Sequence, residues 1–562
     1  MRHTFSKWLR LHRATAIAII NLLITANVIA QNTVIITDTA LQGGKTYHWT
    51  ADKEYILDGL VFLESGGVLI IDSGTVIKGK AVPSNGDYTS ALIITSGAKI
   101  YANGSPKKPI IFTAEVDDPT DPYDLNHMDR GLWGGLIILG DAPIGNQTVP
   151  AQIEGIPSTE PRAQFGGNNP DHDAGSLRYV SIRHGGAELS PGNEINGLTL
   201  GGVGSKTKIE YVEIFAGSDD GIEIFGGNVN IKHVVMAFCG DDGLDWDMGW
   251  RGKGQFIFVI QGDDIADNGA ECDGAIPDNH PRYSSPVIYN ATFIGSGSDA
   301  PSSVKNSHAI LMRDATAGIW ANSVFYDYAN KALQVEDLPS GSGTDSYDRL
   351  LNGEIRFLNN VFYKFGNYST FDANPSTGII AYTPGGDDTT CAALIDSLLA
   401  NNNEMTAPLL TSISRLPNNK LDPRPLPNSP LLYNIATYPS DSFFTPVNYR
   451  GAFDTSDLWI AYWTALAQYG YLPQQFVLST PRISTQNNII IINSENYIII
   501  RSTTDDNIEN VYVYDSSGKQ LYSKVKVNMP ELQISKNQYP PVVFIRVTTN
   551  KGNYFITKVL NN

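Results

Sequence analysis

The chain has 562 residues, with 58 acidic and 40 basic side chains and a formal net charge of −18 at neutral pH. This acidic balance argues against a nucleic-acid-binding protein, because Lys and Arg contacts to phosphate supply most of that affinity. The only cysteines are Cys239, Cys272 and Cys391, so a single Cys239–Cys272 bridge is conceivable but a disulfide framework is excluded.

The first thirty residues have the composition of a secretory signal peptide. Four basic residues precede an apolar run from Ala14 to Ile24, and the segment ends in Val28-Ile29-Ala30 before Gln31. The apolar run is too short to cross a bilayer as a helix, and no other stretch of the sequence reaches that length. We therefore expect an exported protein without a transmembrane segment.

From Tyr55 to Ala114, short stretches of alternating apolar and polar residues are separated by Gly, which is typical of short β-strands. Residues 117–130 and 151–175 interrupt this pattern and predict two excursion loops. The strand at Leu177 matches the strand at Ile209 at a step of 32 residues, which predicts a ten-residue insertion in one coil. Insertions in repeat proteins gather on one face, which is often the binding face.

Residues 209–267 repeat one pattern three times at a step of 22 residues. Each copy alternates apolar and polar residues and then turns through a Gly and Asp cluster, which predicts an all-β, right-handed parallel β-helix. Successive copies in such a coil lie about 4.8 Å apart, so residues 22 apart become neighbours. The predicted ladders are Val212, Val234 and Phe256; Asp219, Asp241 and Asp263; Asp220, Asp242 and Asp264; and Glu223, Asp245 and Asp267.

Beyond Phe371 the repeat fades. Ser456, or Thr455 before it, predicts the N-cap of a helix that closes the open end of the coil. The last eighty residues contain short, evenly spaced apolar strands, which predict a small β-sandwich. The predicted organisation is a signal peptide over 1–30, the β-helix with its capping segment over 31–471, a linker over 472–481 and the sandwich over 482–562.

The C-terminal region resembles a known type of domain. The turn Asp515-Ser-Ser-Gly-Lys, the strand that starts at Phe544 and the closing Lys558-Val-Leu are similar to the type IX secretion sorting domain of Bacteroidota. Pro540-Pro541 departs from that pattern, because these domains usually have Gly before the penultimate strand. The resemblance implies export by the type IX secretion machinery and a secreted or outer-membrane cell-surface location.

The body of the chain resembles the large secreted, pectin-lyase-like β-helix proteins of the same bacteria. The resemblance rests on motifs such as Gly74-Thr-Val-Ile-Lys-Gly, Gly131-Leu-Trp-Gly-Gly and Tyr449-Arg-Gly-Ala-Phe. Most members of that group have no assigned activity. The leading hypothesis is therefore a glycan-binding or adhesive protein, with a polysaccharide or a host or cell-surface glycan as partner.

The acidic ladders have two non-catalytic interpretations. Asp in a Gly-Asp-Asp-Gly turn bonds nearby backbone amides and needs no further role. Alternatively, the stacked carboxylates bind calcium, a hard cation that takes six to eight oxygen ligands. The predicted calcium ligands are Asp219, Asp241, Asp242, Asp245 and Asp263.

The third interpretation is glycoside hydrolysis. Two Asp-Asp-Gly turns one coil apart resemble the paired acidic motifs of the polygalacturonase family, and the resemblance makes Asp220, Asp241 and Asp242 the acid and base of an inverting hydrolase. The Gly-His-Gly of that family is absent, and Arg251-Gly-Lys253 comes ahead of the expected place of its Arg-x-Lys. These departures favour a protein that is not an enzyme. A hydrolase or lyase acting on an acidic polysaccharide is the alternative.

Overall fold

The structure is a computed structural model that describes residues 32–473 and 489–560, apart from 123, 191–192, 302–303, 305–307, 340–342, 375, 382–387, 494–496, 503–506, 516–518, 537–538, 541 and 551–553. The predicted signal peptide, most of the predicted linker and the centre of the Asp515 turn lie outside the described residues. The chain forms two compact units, Met1–Leu478 and Ser479–Asn562. Among the described residues, no helix has the length and apolar character needed to cross a membrane.

The larger unit is a parallel β-helix, which confirms the fold predicted from the 22-residue pattern. Its long sheet contains strands Asn32–Ile36, Thr46–Trp49, Lys53–Leu57, Val68–Ile71, Val76–Gly79, Lys99–Asn103, Ile110–Ala114, Gly175–Arg183, Lys208–Phe215, Asn230–Ala237, Lys253–Ile260, Val287–Ile294, Gly318–Ala321, Val324–Tyr328, Ile355–Leu358, Val361–Phe365 and Glu404–Met405. Its short sheet contains strands Leu60–Leu63, Ala91–Ile94, Leu136–Leu139, Leu198–Gly201, Ile222–Phe225, Leu244–Asp247, Ala270–Cys272, His308–Met312 and Lys331–Val335. The strands within each sheet pair in parallel because the chain returns to the same side after every coil.

Apolar side chains fill the interior of the coil. Trp133, Trp246, Trp250 and Trp320 are each 0 % exposed and belong to this core. None of these four rings is therefore free to stack on a ligand at the surface. The three cysteines are buried and free, so the conceivable Cys239–Cys272 bridge is not formed.

The strand register follows the predicted 22-residue step for two copies and then departs from it. Val212 aligns with Val234, as predicted, but Val234 aligns with Ile257 and not with Phe256. Phe256 instead stacks on His233, with ring centroids 4.7 Å apart. The third predicted copy is therefore wrong by one position in this sheet, because the intervening coil is one residue longer.

A row of aromatic rings marks the same bend in four successive coils. Tyr179, Tyr211, His233 and Phe256 all have φ between 50° and 58°, the left-handed region that non-Gly residues rarely occupy. Their rings stack with centroids 4.5, 4.4 and 4.7 Å apart along the row. Stacking of this kind contributes about 0.5–1.5 kcal/mol per pair, which partly offsets a backbone strain of about 1–3 kcal/mol per residue.

The predicted capping helix over residues 456–466 is wrong. The structure has only a four-residue helix there, Ala465–Gln468, with Thr464 as its N-cap. Residues 407–473, which we call the strap, lie along the outer face of the long sheet. The strap packs against the outward aromatic row, with the Trp463 ring edge-on to Tyr179 at 5.7 Å. The physical reason is that these rings point away from the coil and need an apolar cover.

A helix that the sequence did not indicate, Asp388–Ala400, follows the last coils. Its Leu394 and Leu398 are buried in the apolar cluster that contains Phe362. This helix, and not the strap, joins the interior core where the coil ends.

The remaining short elements are 3-10 helices Asp38–Ala40, Pro161–Ala163 and Pro430–Leu432, helix Ser346–Leu351, and the antiparallel pairs Ala151–Gln152 with Gln164–Phe165, Glu188–Ser190 with Asn193–Glu194, and Leu410–Ser412 with Asp422–Pro425.

The smaller unit consists of two antiparallel sheets that share one apolar core. Residues of both sheets, among them Ile498, Ile500, Val511 and Val543, are buried together in this core. The first sheet contains Ile489–Asn493, Tyr497–Ser502 and Glu531–Ser535, and the second contains Ile508–Tyr514, Gln520–Met529, Val542–Thr549 and Tyr554–Leu560.

Candidate functional site

An acidic cleft of about 440 Å³ lies on the outer face of the short sheet. Ten carboxylates line it, together with one Arg, one His, one Asn and one Leu. The acidic lining residues are Glu154, Glu194, Asp219, Asp220, Glu223, Asp241, Asp242, Asp245, Asp267 and Glu271.

Coil stacking builds most of this lining. Three ladders, numbered outward from the strands, run across successive coils: Glu223, Asp245 and Glu271; Asp220, Asp242 and Asn268; and Asp219, Asp241 and Asp267. The first ladder projects from the short sheet itself, since its members align in the strand register. The other two ladders lie in the turn that precedes each strand.

The third rung of the predicted ladders is wrong. Asp245 aligns with Glu271, a step of 26 residues, and not with Asp267. Asp267 instead donates its backbone N–H to the carbonyl oxygen of Asp241 at 3.0 Å. The turn after Ile260 is longer than in the earlier copies, and this shifts every later residue of the coil.

The longer turn also removes two predicted residues from the ladders. Asp263 is exposed and does not line the cleft, so the structure does not bring it together with the other four predicted calcium ligands. Asp264 accepts two hydrogen bonds from the Arg130 guanidinium at 2.6 and 3.0 Å. Both aspartates lie near His127, in a separate group.

The carboxylates of the ladders are close enough to share ligands. Among the described residues, four cleft triads each bring one oxygen atom per side chain within 4.8 Å of the others. Triad 1 is Asp219, Asp220 and Asp241; triad 2 is Asp241, Asp242 and Asp267; triad 3 is Asp220, Glu223 and Asp245; and triad 4 is Asp242, Asp245 and Glu271.

Two of the aspartates also hold successive coils together. Asp220 Oδ1 accepts the backbone N–H of Asp242 at 2.9 Å, and Asp242 Oδ1 accepts the backbone N–H of Asn268 at 2.5 Å. Each of these bonds connects a side chain to the backbone of the next coil. The bond of Asp220 uses only its Oδ1. The middle ladder therefore has a structural role, whatever else it binds.

Burial and mutual repulsion raise the pKa values of the cleft carboxyls. Burial, followed by the charges of Glu194 and Asp241, raises the pKa of Asp219 to about 7. Burial and the charge of Asp273 raise the pKa of Glu271 to about 7. Two unit charges 4.8 Å apart repel by about 3 kcal/mol at an effective dielectric of about 20. The cleft therefore needs protons or cations to be stable at neutral pH.

Positive charge is scarce in the cleft. The Arg313 guanidinium donates to both Asp273 oxygens, at 2.8 and 3.0 Å, and also to Glu271. Burial lowers the pKa of His308 to about 4, so this imidazole is neutral at pH 7. Arg313 alone therefore opposes the ten lining carboxylates.

One predicted excursion loop, residues 151–175, and the short strand pair after it contribute to the rim of the cleft. Glu154 lies in the loop between Ala151–Gln152 and Gln164–Phe165, and Glu194 ends the short strand Asn193–Glu194. Sequence reasoning missed both residues, because neither belongs to the repeat. The sequence does predict that insertions gather at the binding face. This prediction indicates the loops, but it does not indicate which of their side chains line the cleft.

The structure brings together the three residues predicted as catalytic. Asp220, Asp241 and Asp242 all line the cleft, and the nearest oxygens of Asp220 and Asp241 lie within 4.8 Å. An inverting hydrolase needs its two carboxyl groups about 6.5–9.5 Å apart to admit a water molecule. The nearest oxygens of Asp220 and Asp241 are close enough to share a cation.

The fold and the cleft define this chain as a parallel β-helix protein with a carboxylate-lined groove on one sheet. It belongs to the pectate-lyase-like β-helix domain family, whose profile matches residues 42–390, and this confirms the predicted pectin-lyase-like fold. Residues 478–561 match a domain of unknown function (DUF8694). No curated protein matches the chain.

Proposed function

We propose that this protein is an exported, polysaccharide-binding β-helix protein whose acidic cleft holds calcium. The observation that carries the proposal is the set of four carboxylate triads with oxygens within 4.8 Å. Two oxygens that both contact calcium at 2.3–2.6 Å lie at most about 5 Å apart, and at most about 4 Å apart around magnesium. Oxygens no more than 4.8 Å apart can therefore share one calcium ion, which also tolerates irregular geometry.

The donor set fits the ion as well. The triads contain eight carboxylates, and hard oxygen donors are the ligands that calcium prefers. Burial, followed by repulsion from neighbouring carboxylates, raises the pKa values of Asp219 and Glu271 to about 7, and a bound cation would relieve the repulsion. The chemistry that calcium would supply is a positive centre for ligand oxygens in an otherwise negative groove.

The polysaccharide part of the proposal rests on the family and on the charge of the cleft. A sugar polymer that carries carboxylates would be repelled by ten like charges in the cleft without calcium. Bound calcium ions would attract the same polymer and coordinate its carboxylate and hydroxyl oxygens. We therefore propose an acidic polysaccharide or a cell-surface glycan as the ligand.

Calcium binding is tested by thermal unfolding of the chelated full-length protein with and without calcium chloride. We expect calcium to raise the melting temperature, because an ion at 100 times its Kd stabilises the folded state by about 2.7 kcal/mol. Magnesium at the same concentration should raise it less. An unchanged melting temperature in calcium would contradict the proposal.

Glycan binding is tested by co-sedimentation with insoluble polyuronate, in calcium and in chelator. We expect retention in calcium only, and we expect Asp241→Asn to weaken it because Asp241 belongs to triads 1 and 2. Asp264→Asn is the matched control, since Asp264 lies outside the cleft. A neutral glucan tests whether the charge of the polymer matters. Equal retention on both polymers would contradict the proposal that bound calcium attracts the carboxylates of the polymer.

Hydrolysis is the second candidate, favoured by one observation. Burial, together with the charges of Asp219 and Asp241, raises the pKa of Asp220 well above its usual range, as a general acid requires. Reducing-sugar release from pectic and algal polysaccharides, compared between the wild type and Asp242→Asn, decides the matter. Release by the wild type alone would establish an enzyme, and no release from any polymer would exclude a hydrolase.

Export by the type IX machinery, to the medium or the outer-membrane surface, is part of the same proposal. Its support is the signal-peptide composition of residues 1–30 and the resemblance of the C-terminal region to a sorting domain. We expect a chain that lacks residues 482–562 to remain in the periplasm of a host with type IX secretion. Export of that truncated chain would overturn the sorting role.

A further inference from the structure

We propose that the cleft binds two calcium ions at once, one in triad 2 and one in triad 3. This inference rests on the proposed function, which by itself requires only one ion. The first ion would be held by Asp241, Asp242 and Asp267, and the second by Asp220, Glu223 and Asp245.

The four triads form a two-by-two grid in which neighbours share a carboxylate. Asp220, Asp241, Asp242 and Asp245 each belong to two triads. Two ions in neighbouring triads would compete for the shared side chain. Only the diagonal pairs, triads 1 and 4 or triads 2 and 3, use six different carboxylates. The cleft can thus hold two ions, each with three carboxylates of its own, in two ways.

The contacts of Glu271 decide between these two ways. Its Oε1 accepts a hydrogen bond from the Arg313 guanidinium, and its Oε2 accepts one from Asn268 Nδ2 at 3.2 Å. Both oxygens of Glu271 are therefore engaged, and a cation in triad 4 would stand close to the Arg313 charge. Triad 4 is the poorest of the four sites, so the pair of triads 2 and 3 remains.

Triad 3 contains one buried oxygen that lacks a hydrogen bond, and a second such oxygen belongs to a residue beside it. Asp245 Oδ1 is buried and has no partner among the described residues. Beside the triad, the Asn196 side chain is 2 % exposed and donates from Nδ2 to Glu223, while its Oδ1 is buried without a described partner. A buried oxygen without a partner costs about 1–3 kcal/mol, and a cation bound in triad 3 would remove this cost for Asp245 Oδ1.

Asn196 can complete the coordination of that ion. A half-turn of its amide exchanges Oδ1 and Nδ2, and the carbonyl oxygen then faces the place next to Glu223 where the cation would lie. An amide oxygen is a neutral ligand that calcium accepts alongside carboxylates. Triad 2 is more open, because Asp241 is partly exposed, so water can supply its remaining ligands.

The test is the number of calcium ions bound by the chelated full-length protein, measured by equilibrium dialysis and by isothermal titration with calcium chloride. We expect two ions per wild-type chain. Asp267→Asn and Glu223→Gln should each weaken one ion by roughly tenfold or more, because calcium affinity depends on ligand charge. The double variant should bind neither ion tightly.

Glu271→Gln is the matched control inside the cleft. It should still bind two ions, since triad 4 is not used. Loss of one ion in Glu271→Gln with no effect of Asp267→Asn would assign the ions to triads 1 and 4 and overturn the inference. One ion in the wild type would also overturn it and leave the proposed function intact, whereas no bound ion would remove both. The wild-type count does not depend on the folding of any variant.

Discussion

At the scale of single residues, the unusual feature is that carboxylates are forced together by the backbone. Asp219 and Asp241 occupy equivalent places in successive coils, so the strand spacing and not their chemistry sets their separation. The folded chain must therefore neutralise them with protons or cations. This makes the stability of the coil depend on pH and on calcium in a way that can be measured.

Asp219 gives the pH prediction. Its pKa is raised from 3.8 to about 7 in the folded state, first by burial and then by nearby carboxylates. Between these values the folded state binds the proton more tightly than the unfolded state, so the contribution of Asp219 to stability falls as the pH rises from about 4 to about 7.

The measurement is the free energy of unfolding of the wild type and Asp219→Asn in chelator, from urea titrations across this range. The wild type should lose stability relative to the variant as the pH rises, because Asn cannot ionise. Calcium should reduce the loss. If the wild type instead gained stability relative to the variant as the pH rises, the predicted pH dependence would be contradicted.

At the scale of elements, the strap is attached to the coil by a buried polar cluster. Glu213 Oε2 accepts hydrogen bonds from Ser181 Oγ and from the backbone N–H of Ala465, both at 2.6 Å. Arg183 donates to Ser181 Oγ at 2.8 Å and to Gln468 Oε1 at 2.7 Å. Arg183 and Glu213 are both 0 % exposed, so each depends on these contacts for its charge.

Replacing one member of this cluster should be costly. Glu213→Ala leaves the Ser181 hydroxyl and the Ala465 backbone N–H buried without their acceptor and removes one carboxylate near the Arg183 charge, so it should lower the free energy of unfolding by about 1–3 kcal/mol. The double variant Arg183→Met with Glu213→Leu should cost clearly less than the sum of Arg183→Met and Glu213→Leu. Urea titrations of the wild type, Arg183→Met, Glu213→Leu and the double variant measure this coupling. Additive effects would show that the two residues do not act together.

The same elements show what the sequence can and cannot predict. The step of 22 residues is visible in the sequence because Asp219 and Asp241 recur at equivalent places in successive turns, and it correctly predicts the coil and most of the cleft. The longer turn near Asp263 carries no periodic signal, so the third rung was misplaced. Glu154 and Glu194 enter from loops, whose folded positions depend on tertiary contacts that local patterns do not encode.

The ends of the coil are poorly predicted by the sequence. Ser456 and the apolar residues after it have the composition of a helix, yet the Trp and Leu side chains of this stretch cover the outward aromatic row instead. The helix Asp388–Ala400 has no basic residue in its last turn, and its apolar face is defined only by the core it covers. In the stretch after Ser456, tertiary packing overrides local propensity.

At the scale of the whole molecule, the two units have separate cores. The apolar clusters of the coil, including the one under the strap, contain residues of Met1–Leu478 only. The cluster of the smaller unit contains residues of Ser479–Asn562 only. Each unit therefore has the buried surface that it needs to fold by itself.

A chain that ends at residue 478 should consequently keep the properties of the coil. We expect its melting temperature in calcium to match that of the corresponding transition in the full-length protein, and its calcium stoichiometry to be unchanged, because no cleft residue and no residue of the coil core is removed. Differential scanning calorimetry and calcium titration of the two proteins make the comparison.

A chain ending at Met405, which lacks the strap, is the contrasting variant and should unfold at a clearly lower temperature, since the outward aromatic row would be uncovered. If the shorter deletion destabilised the coil as much as the longer one, the smaller unit would be part of the coil's folding unit and not a separable domain.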